Sequence, residues 1–278
     1  MVDSKSSLLI CGDTMSELKK INDSTIGCGV TSPPYNKMEK NNGGLVSSVV
    51  YDTYKDCLSE QEYQQNQIDV LNELFRITKD GGSFFYNHKV RWDKGRMIHP
   101  MEWLSKTNWT IRQEIIWDRG IAANIRGWRF WQVDERIYWL YKPIGDNLIG
   151  KELESKDALM TSIWRIRPEG DGRHPAPFPI ELPLRCLLSV SNPGDIVIDP
   201  YCGSGTTLVA AKKLGLQYVG IDLSENYLKI AQSRLDNYTD ETDRMEDEIS
   251  LHTVNKTFQQ RKCEASLSHQ PNEKEALW

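Results

Sequence analysis

Short apolar runs alternate with amphipathic stretches in the first part of the chain, residues 7–87. Three apolar runs predict strands, and they read SLLICGD, TIGCGVT and GGSFFYN. Between them, MSELKKI and QEYQQNQIDVLNELFRIT have apolar positions at the spacing of a helix. A strand–helix–strand–helix–strand order predicts parallel strands joined by right-handed crossovers.

The same pattern returns in residues 174–235. It predicts helices in IELPLRCLLSVS, LVAAKKLG and SENYLKIAQSRL, and strands in IVIDP and QYVGID. We therefore expect an α/β, Rossmann-like fold with one mostly parallel, twisted sheet built from both parts. Residues 1–235 would form one domain, and the polar tail from 236 to 278 is predicted to be partly disordered.

Two stretches lack the α/β pattern, one within the first part and one between the two parts. The sequence of residues 37–58 predicts a long loop with Gly43–Gly44 at its tip. Residues 119–173 are rich in tryptophan and arginine, with glycine, proline and mixed charge towards their end. We expect this second stretch to be a region inserted into the sheet domain.

The chain has 278 residues and a formal net charge of −5. The tail carries that charge, because its ten acidic residues outnumber five basic ones. The remaining body is neutral overall and can still present a basic face to nucleic acid. The absence of a long apolar run and of a secretory signal predicts a cytoplasmic protein. Six cysteines without a CxxC pair indicate neither a zinc cluster nor a disulfide framework, and no metal is expected.

The stretch IVIDPYCGSGTT places a glycine-rich turn between a predicted strand and a predicted helix. Gly203 and Gly205 would let a ligand approach the backbone closely, near the free N–H groups of the helix start. Asp222 ends the next strand, 17 residues after Gly205, where a carboxylate can bind ribose hydroxyls. The turn lacks both the lysine of a phosphate loop and the third glycine of GxGxxG. It therefore favours an adenosine compound without pyrophosphate over a dinucleotide, with a purely structural turn as the alternative.

The second predicted strand runs into TSPPYN, residues 31–36. With DPYCGSGTT, it resembles the paired signature of S-adenosylmethionine-dependent DNA amino-methyltransferases, which methylate cytosine N4 or adenine N6. The usual forms are [DNS]PP[YF] and DPFxGSGTT, so Tyr201 stands where phenylalanine is usual. The catalytic motif comes first in this chain, an order similar to the circularly permuted β class. The resemblance implies that residues 119–173 contain the target-recognition region.

The resemblance implies a role for each residue of the SPPY motif. Ser32 Oγ and the Pro33 carbonyl would accept the two hydrogens of the target amine, and Pro34 would help to keep the corner rigid. Tyr35 would stack on a base flipped out of double-stranded DNA. The cofactor would be S-adenosylmethionine. Its implied binding residues are Asp13, Thr31, Asp199, Tyr201, Gly203, Ser204, Gly205, Thr206 and Asp222.

Serine at the first position of the motif favours cytosine N4, with adenine N6 as the alternative. Arginines beside aromatic residues are candidate DNA contacts, although a packed aromatic core explains the tryptophans equally well. These arginines are Arg119, Arg126, Arg129, Arg165 and Arg167. The family also allows a homodimer and a cognate restriction endonuclease as partners. An RNA or protein amino-methyltransferase and a silent DNA-binding subunit are the other functions left open.

Overall fold

The computed structural model describes residues 7–36, 51–54, 56–122, 125–150, 161–168, 178–238 and 263. The predicted loop tip at Gly43–Gly44 and all of the tail beyond 238 except Cys263 lie outside these ranges. Of the helices within the ranges, none combines the length and apolar character needed to cross a membrane.

One eight-stranded sheet forms the centre of the described structure, with a separate two-stranded hairpin beside it. The strands in chain order are β1 (Leu8–Cys11), β2 (Ile26–Thr31), β3 (Thr78–His88), β4 (Arg91–Asp93), β5 (Arg96–Ile98), β6 (Thr110–Asp118), β7 (Asp134–Tyr141), β8 (Ile163–Arg165), β9 (Ile196–Asp199) and β10 (Gln217–Asp222). In the sheet the order is β1-β10-β9-β2-β3-β7-β6-β8, and β4 pairs with β5. The first five strands in this order, which are β1, β10, β9, β2 and β3, run parallel to one another. In contrast, β7 is antiparallel to both of its neighbours.

The helices are α1 (Thr14–Leu18), α2 (Glu60–Ile77), α3 (Met101–Leu104), α4 (Glu181–Val190), α5 (Thr206–Lys213) and α6 (Glu225–Asp236). The longest, α2, begins at a capping box in which Ser59 and Glu62 satisfy each other's backbone N–H groups. Its buried positions Val70, Leu71 and Leu74 follow the helical spacing seen in the sequence. That apolar face fixes how the helix lies on the sheet.

Two apolar cores lie on opposite faces of the sheet. One contains side chains of α4, α5 and α6 packed on strand residues such as Val30 and Val197. The other contains side chains of α1, α2 and α3 packed on Phe84 and Ile198. The central strand β2 is buried along its whole length, as expected for a parallel strand covered on both sides. The molecule is therefore a three-layer α/β/α structure, and the Rossmann-like fold expected from the sequence is confirmed.

All strands and helices predicted in residues 7–87 and 178–235 are present, and their parallel pairing is confirmed. The sequence did not reveal β6 and β7, which extend the main sheet in the antiparallel sense. Residues 119–173 therefore include β7 and β8, two strands of the main sheet, and the described part outside it is largely 119–133 and 142–150. Strand β7, with the sequence DERIYWLY, mixes aromatic and charged residues, so its pattern did not predict a strand.

Candidate active site

The SPPY motif and the glycine loop follow neighbouring strands, β2 and β9, at the same edge of the sheet. Thr31 ends β2 and Asp199 ends β9. The Thr31 hydroxyl donates to Asp199 Oδ1 over 2.7 Å, and both side chains are buried. Two motifs that are far apart in the sequence are thus joined directly at their bases.

The SPPY corner is braced by residues from α2 and the segment before it. The Tyr63 hydroxyl donates to the Pro34 carbonyl over 2.8 Å. The Asn36 backbone N–H donates to Asp56 Oδ1 over 2.7 Å, and its side-chain amide donates to the Leu58 carbonyl over 2.9 Å. The backbone is therefore held on both sides of Tyr35.

Ser32 and Tyr35 lie next to each other within the corner. Ser32 Oγ is 2.7 Å from the Tyr35 hydroxyl, which donates to Glu135 Oε2 over 2.8 Å. The Tyr35 ring lies against His88, with ring centroids 4.5 Å apart. Burial and the nearby Glu135 raise the pKa of Tyr35 well above its ordinary value, so the phenol stays protonated.

The glycine loop adopts a conformation that a side chain would disturb. Gly205 has φ +80°, and a Cβ there would lie 2.8 Å from the Cβ of Ala231 on α6. Arg234, also on α6, donates to the Ser204 carbonyl over 3.0 Å and to Thr206 Oγ1 over 2.9 Å. The loop is therefore packed closely against α6 as well as standing at the start of α5.

Asp222 at the end of β10 fixes the other side of the loop. Its Oδ2 accepts the Gly203 N–H over 2.9 Å, and its Oδ1 accepts the Ser224 N–H over 2.8 Å. The Asp222 carbonyl also accepts the Gly12 N–H over 3.0 Å, which brings the end of β1 to the same edge. The carboxylate therefore lies beside the glycines, held by two backbone N–H groups.

Two further predicted acids have identifiable local partners. Asp199 Oδ1 also accepts the Tyr201 N–H over 3.1 Å, and burial raises the pKa of Asp199 from 3.8 to about 6. The Tyr201 side chain is partly buried against the core below the site. Asp13 is exposed and caps α1, where its Oδ1 accepts the Ser16 N–H over 3.0 Å. Asp13 therefore caps this helix through Oδ1, which also accepts the Ser16 hydroxyl over 2.8 Å.

The five candidate arginines do not share one surface environment. Arg119 is mostly covered and pairs with Glu135 over 3.1 Å, so it belongs to the surroundings of the SPPY corner. Arg129 stacks over Trp92 at 3.9 Å, while Arg126 is exposed in the same segment. Arg165 and Arg167 are exposed in or just after the edge strand β8.

The tryptophans of the middle region divide between the two interpretations. Trp117, Trp139 and Trp164 are buried in the core. Trp128 and Trp131 are exposed, and Phe130 between them is 99% exposed. An aromatic surface therefore exists only in the segment 125–133 of the part described.

Sequence reasoning missed three residues of this region. Asn87 and Glu135 contact Tyr35, but they come from β3 and β7. Asp52 accepts hydrogen bonds from Ser224 Oγ over 2.7 Å and Asn226 Nδ2 over 2.9 Å, which fastens 51–54 to the start of α6. The only available signal was that Asn87 is a polar residue at the end of an apolar strand.

Comparisons with known proteins agree with this arrangement. A family model described as DNA methylase, N6_N4_Mtase, matches residues 26–233. The type II methyltransferase M2.DpnII of Streptococcus pneumoniae is 29% identical over 251 residues, covering 82% of this chain and 89% of the relative.

Solved structures share the fold. TTHA0409 of Thermus thermophilus, in complex with S-adenosyl-L-methionine, has a TM-score of 0.62 at 24% identity, covering 84% of this chain and 94% of that one. The cytosine-N4-specific PvuII DNA methyltransferase has a TM-score of 0.64 at 17% identity, covering 87% and 94%. Since the family model spans most of the sequence, the chain belongs to the N6/N4 family of DNA methylases.

Proposed function

We propose that this protein transfers the methyl group of S-adenosylmethionine to the exocyclic amino group of a base flipped out of double-stranded DNA. Cytosine N4 is the favoured target and adenine N6 the alternative. The observation that carries the proposal is the Thr31–Asp199 hydrogen bond of 2.7 Å, because it joins the base of the SPPY corner to the base of the glycine loop. A base held at one motif and a methyl donor held at the other would then be neighbours.

The glycine loop and its acids fit this methyl donor. The crowding at Gly205 against Ala231 leaves no room for a side chain, so the loop keeps its close packing on α6. Asp222 is the candidate for the ribose hydroxyls, and Asp13 for the adenine amine. Thr31, Asp199 and Tyr201, with loop residues Gly203, Ser204 and Thr206, would complete the binding site. When bound, S-adenosylmethionine supplies an electrophilic methyl group on a sulfonium.

The SPPY corner supplies what the target amine needs. The lone pair of such an amine is delocalised into the ring, and acceptors on both amine hydrogens favour a nitrogen that can attack. Ser32 Oγ and the Pro33 carbonyl would be these acceptors, held in place because Pro33 and Pro34 restrict the backbone. Tyr35 would stack on the flipped base. Transfer would be direct, without an enzyme-bound methyl.

The serine favours cytosine, since it is more typical of cytosine-N4 enzymes than aspartate is. The arrangement of motifs also supports membership of the circularly permuted β class, because the glycine loop follows β9 and the first strand of the chain pairs with β10. A homodimer and a cognate restriction endonuclease stay predictions from the resemblance.

The exposed segment 125–133 is the candidate DNA surface. It presents Arg126 and the aromatic side chains of Trp128, Phe130 and Trp131. Arginine can contact phosphates or guanine, and exposed aromatic rings can stack on bases. The segment leads directly into β7, whose second residue contacts the SPPY corner. Arg165 and Arg167 would be further contacts.

The test is transfer of labelled methyl to DNA, RNA and protein offered together, followed by sequencing of the modified plasmid to read the target base. The Ser32→Ala variant should slow DNA labelling roughly tenfold or more, because it removes one acceptor of the transition state. Its affinity for S-adenosylmethionine, measured by calorimetry, should stay near the wild-type value. Label on RNA or protein alone would refute the proposal, and no label on any of the three would favour a silent subunit.

A further inference from the structure

A buried carboxylate lies behind the SPPY corner. Glu135 is the second residue of β7, and it is 8% exposed. Its Oε1 accepts from Arg119 Nη1 over 3.1 Å. Its Oε2 accepts from the Tyr35 hydroxyl over 2.8 Å and from Asn87 Nδ2 over 3.1 Å. Both oxygens are therefore used, and every contact is with a donor.

These contacts fix the direction of the hydrogen bonds at the corner. An ionised carboxylate only accepts, so Tyr35 must donate its one proton to Glu135. The Tyr35 oxygen can then only accept from Ser32, from which it is 2.7 Å away. The Ser32 hydroxyl must therefore donate its one proton to Tyr35. With that proton used, Ser32 Oγ can act only as an acceptor towards any other group.

Asn87 supports the same direction. Its amide nitrogen donates to the Tyr35 oxygen over 2.8 Å and lies 3.2 Å from Ser32 Oγ. Since this nitrogen also faces the acceptor-only Glu135, the amide cannot be reversed without placing two acceptors together. The Tyr35 oxygen is thus surrounded by donors on one side and by the carboxylate on the other.

We propose that Glu135 is a positioning residue for methyl transfer: acting through Tyr35, it holds the Ser32 hydroxyl as a hydrogen-bond acceptor towards the target amine. The inference rests on the proposed amine methylation. A serine hydroxyl can donate or accept, and only the accepting orientation assists the amine. A carboxylate 2.8 Å from Tyr35 removes that ambiguity.

The experiment is single-turnover DNA methylation by wild type, Glu135→Gln, Tyr35→Phe and their double variant, measured as a function of DNA concentration. Each single variant should slow transfer roughly ten- to a hundredfold, the range expected for loss of one hydrogen bond to a charged group. The double variant should be no slower than the slower single one, since both changes break the same chain. The DNA concentration that gives half of the maximal rate should stay near the wild-type value, because the variants lose orientation at the chemical step and not binding of DNA.

Glu114→Gln is the matched control, because Glu114 lies on the adjacent strand β6 and pairs with Arg136 on the strand of Glu135. This control should keep the wild-type rate. Each variant should still unfold in one cooperative thermal transition and bind S-adenosylmethionine like wild type, which separates positioning from misfolding. If Glu135→Gln does not fold, Tyr35→Phe carries the test, because it removes only the hydroxyl and keeps the ring.

The outcomes separate this inference from the function on which it rests. If wild type labels DNA and Glu135→Gln is equally fast, Glu135 has no positioning role. Losses that multiply in the double variant would also refute the chain through Tyr35. If wild type labels no DNA, the proposed function is wrong and this inference falls with it.

Discussion

The glycine loop can be tested at Gly205, where backbone strain and crowding coincide. The change is Gly205→Ala. A side chain at φ +80° costs about 1–2 kcal/mol, because Cβ clashes with its own backbone in the left-handed region. The new Cβ would also lie 2.8 Å from Ala231 Cβ and 3.3 Å from Ala231 Cα on α6. Such overpacking adds about 1–3 kcal/mol.

Gly215 provides a matched control at the other end of the same helix. It has φ +70°, and a Cβ there would meet nothing within 4 Å. Gly215→Ala should therefore cost only the backbone strain, about 1–2 kcal/mol. The difference between the two variants isolates the crowding against Ala231.

Urea unfolding measures both free energies of unfolding, and calorimetry measures S-adenosylmethionine affinity. We expect Gly205→Ala to be the less stable variant by about 1–3 kcal/mol. Its cofactor affinity should be lower, while Gly215→Ala binds like wild type. Two equally stable variants would refute the crowding argument, and undiminished cofactor affinity in Gly205→Ala would refute the role of the loop backbone in binding.

The remaining predictions concern one acid and one aromatic residue. Burial raises the pKa of Asp199 to about 6 from 3.8, so the folded state holds this proton more tightly and loses stability as pH rises through that interval. The full loss is about 3 kcal/mol, and about 2 kcal/mol of it falls between pH 4 and pH 7. Asp199→Asn should lack this difference when unfolding free energies at the two pH values are compared; equal pH slopes for variant and wild type would contradict this. Phe130→Ala should weaken DNA binding without changing the unfolding midpoint, because Phe130 is 99% exposed. Ile149→Ala, another exposed apolar residue, is the control in the same binding assay, and equal affinities would remove 125–133 from the DNA surface.

Local patterns allowed the parallel half of the fold to be predicted. Each of the five parallel strands is an apolar run that ends at a turn residue or a motif, and the helices between them have an apolar face. Parallel strands place their carboxyl ends at one edge, so the neighbourhood of Thr31, Asp199 and Asp222 follows from the topology. The antiparallel half did not follow, because β7 pairs with β3 across a hairpin of β4 and β5 and a return through β6.

The partners of the predicted site residues were harder to find than the residues themselves. Tyr35 and Glu135 are 100 residues apart, and Thr31 and Asp199 are 168 apart. The second pair could be anticipated since both members end strands of recognisable motifs. The first pair could not be anticipated, because Glu135 lies in a segment that mixes aromatic and charged residues. Its side chain reaches the corner only because of the register in which β7 pairs with β3.

The serine of this motif explains why such a partner matters. An aspartate at the first position can only accept once it is ionised, so it needs no neighbour to set its direction. A serine hydroxyl carries its own proton and can point it at the target amine, where it would oppose the attack. In this chain the Ser32 proton has a better acceptor 2.7 Å away, the Tyr35 oxygen. The Tyr35 hydroxyl in turn donates its own hydrogen bond to Glu135. Under the proposed function, the SPPY corner therefore depends on β7, which ties the candidate catalytic motif to the antiparallel half of the sheet.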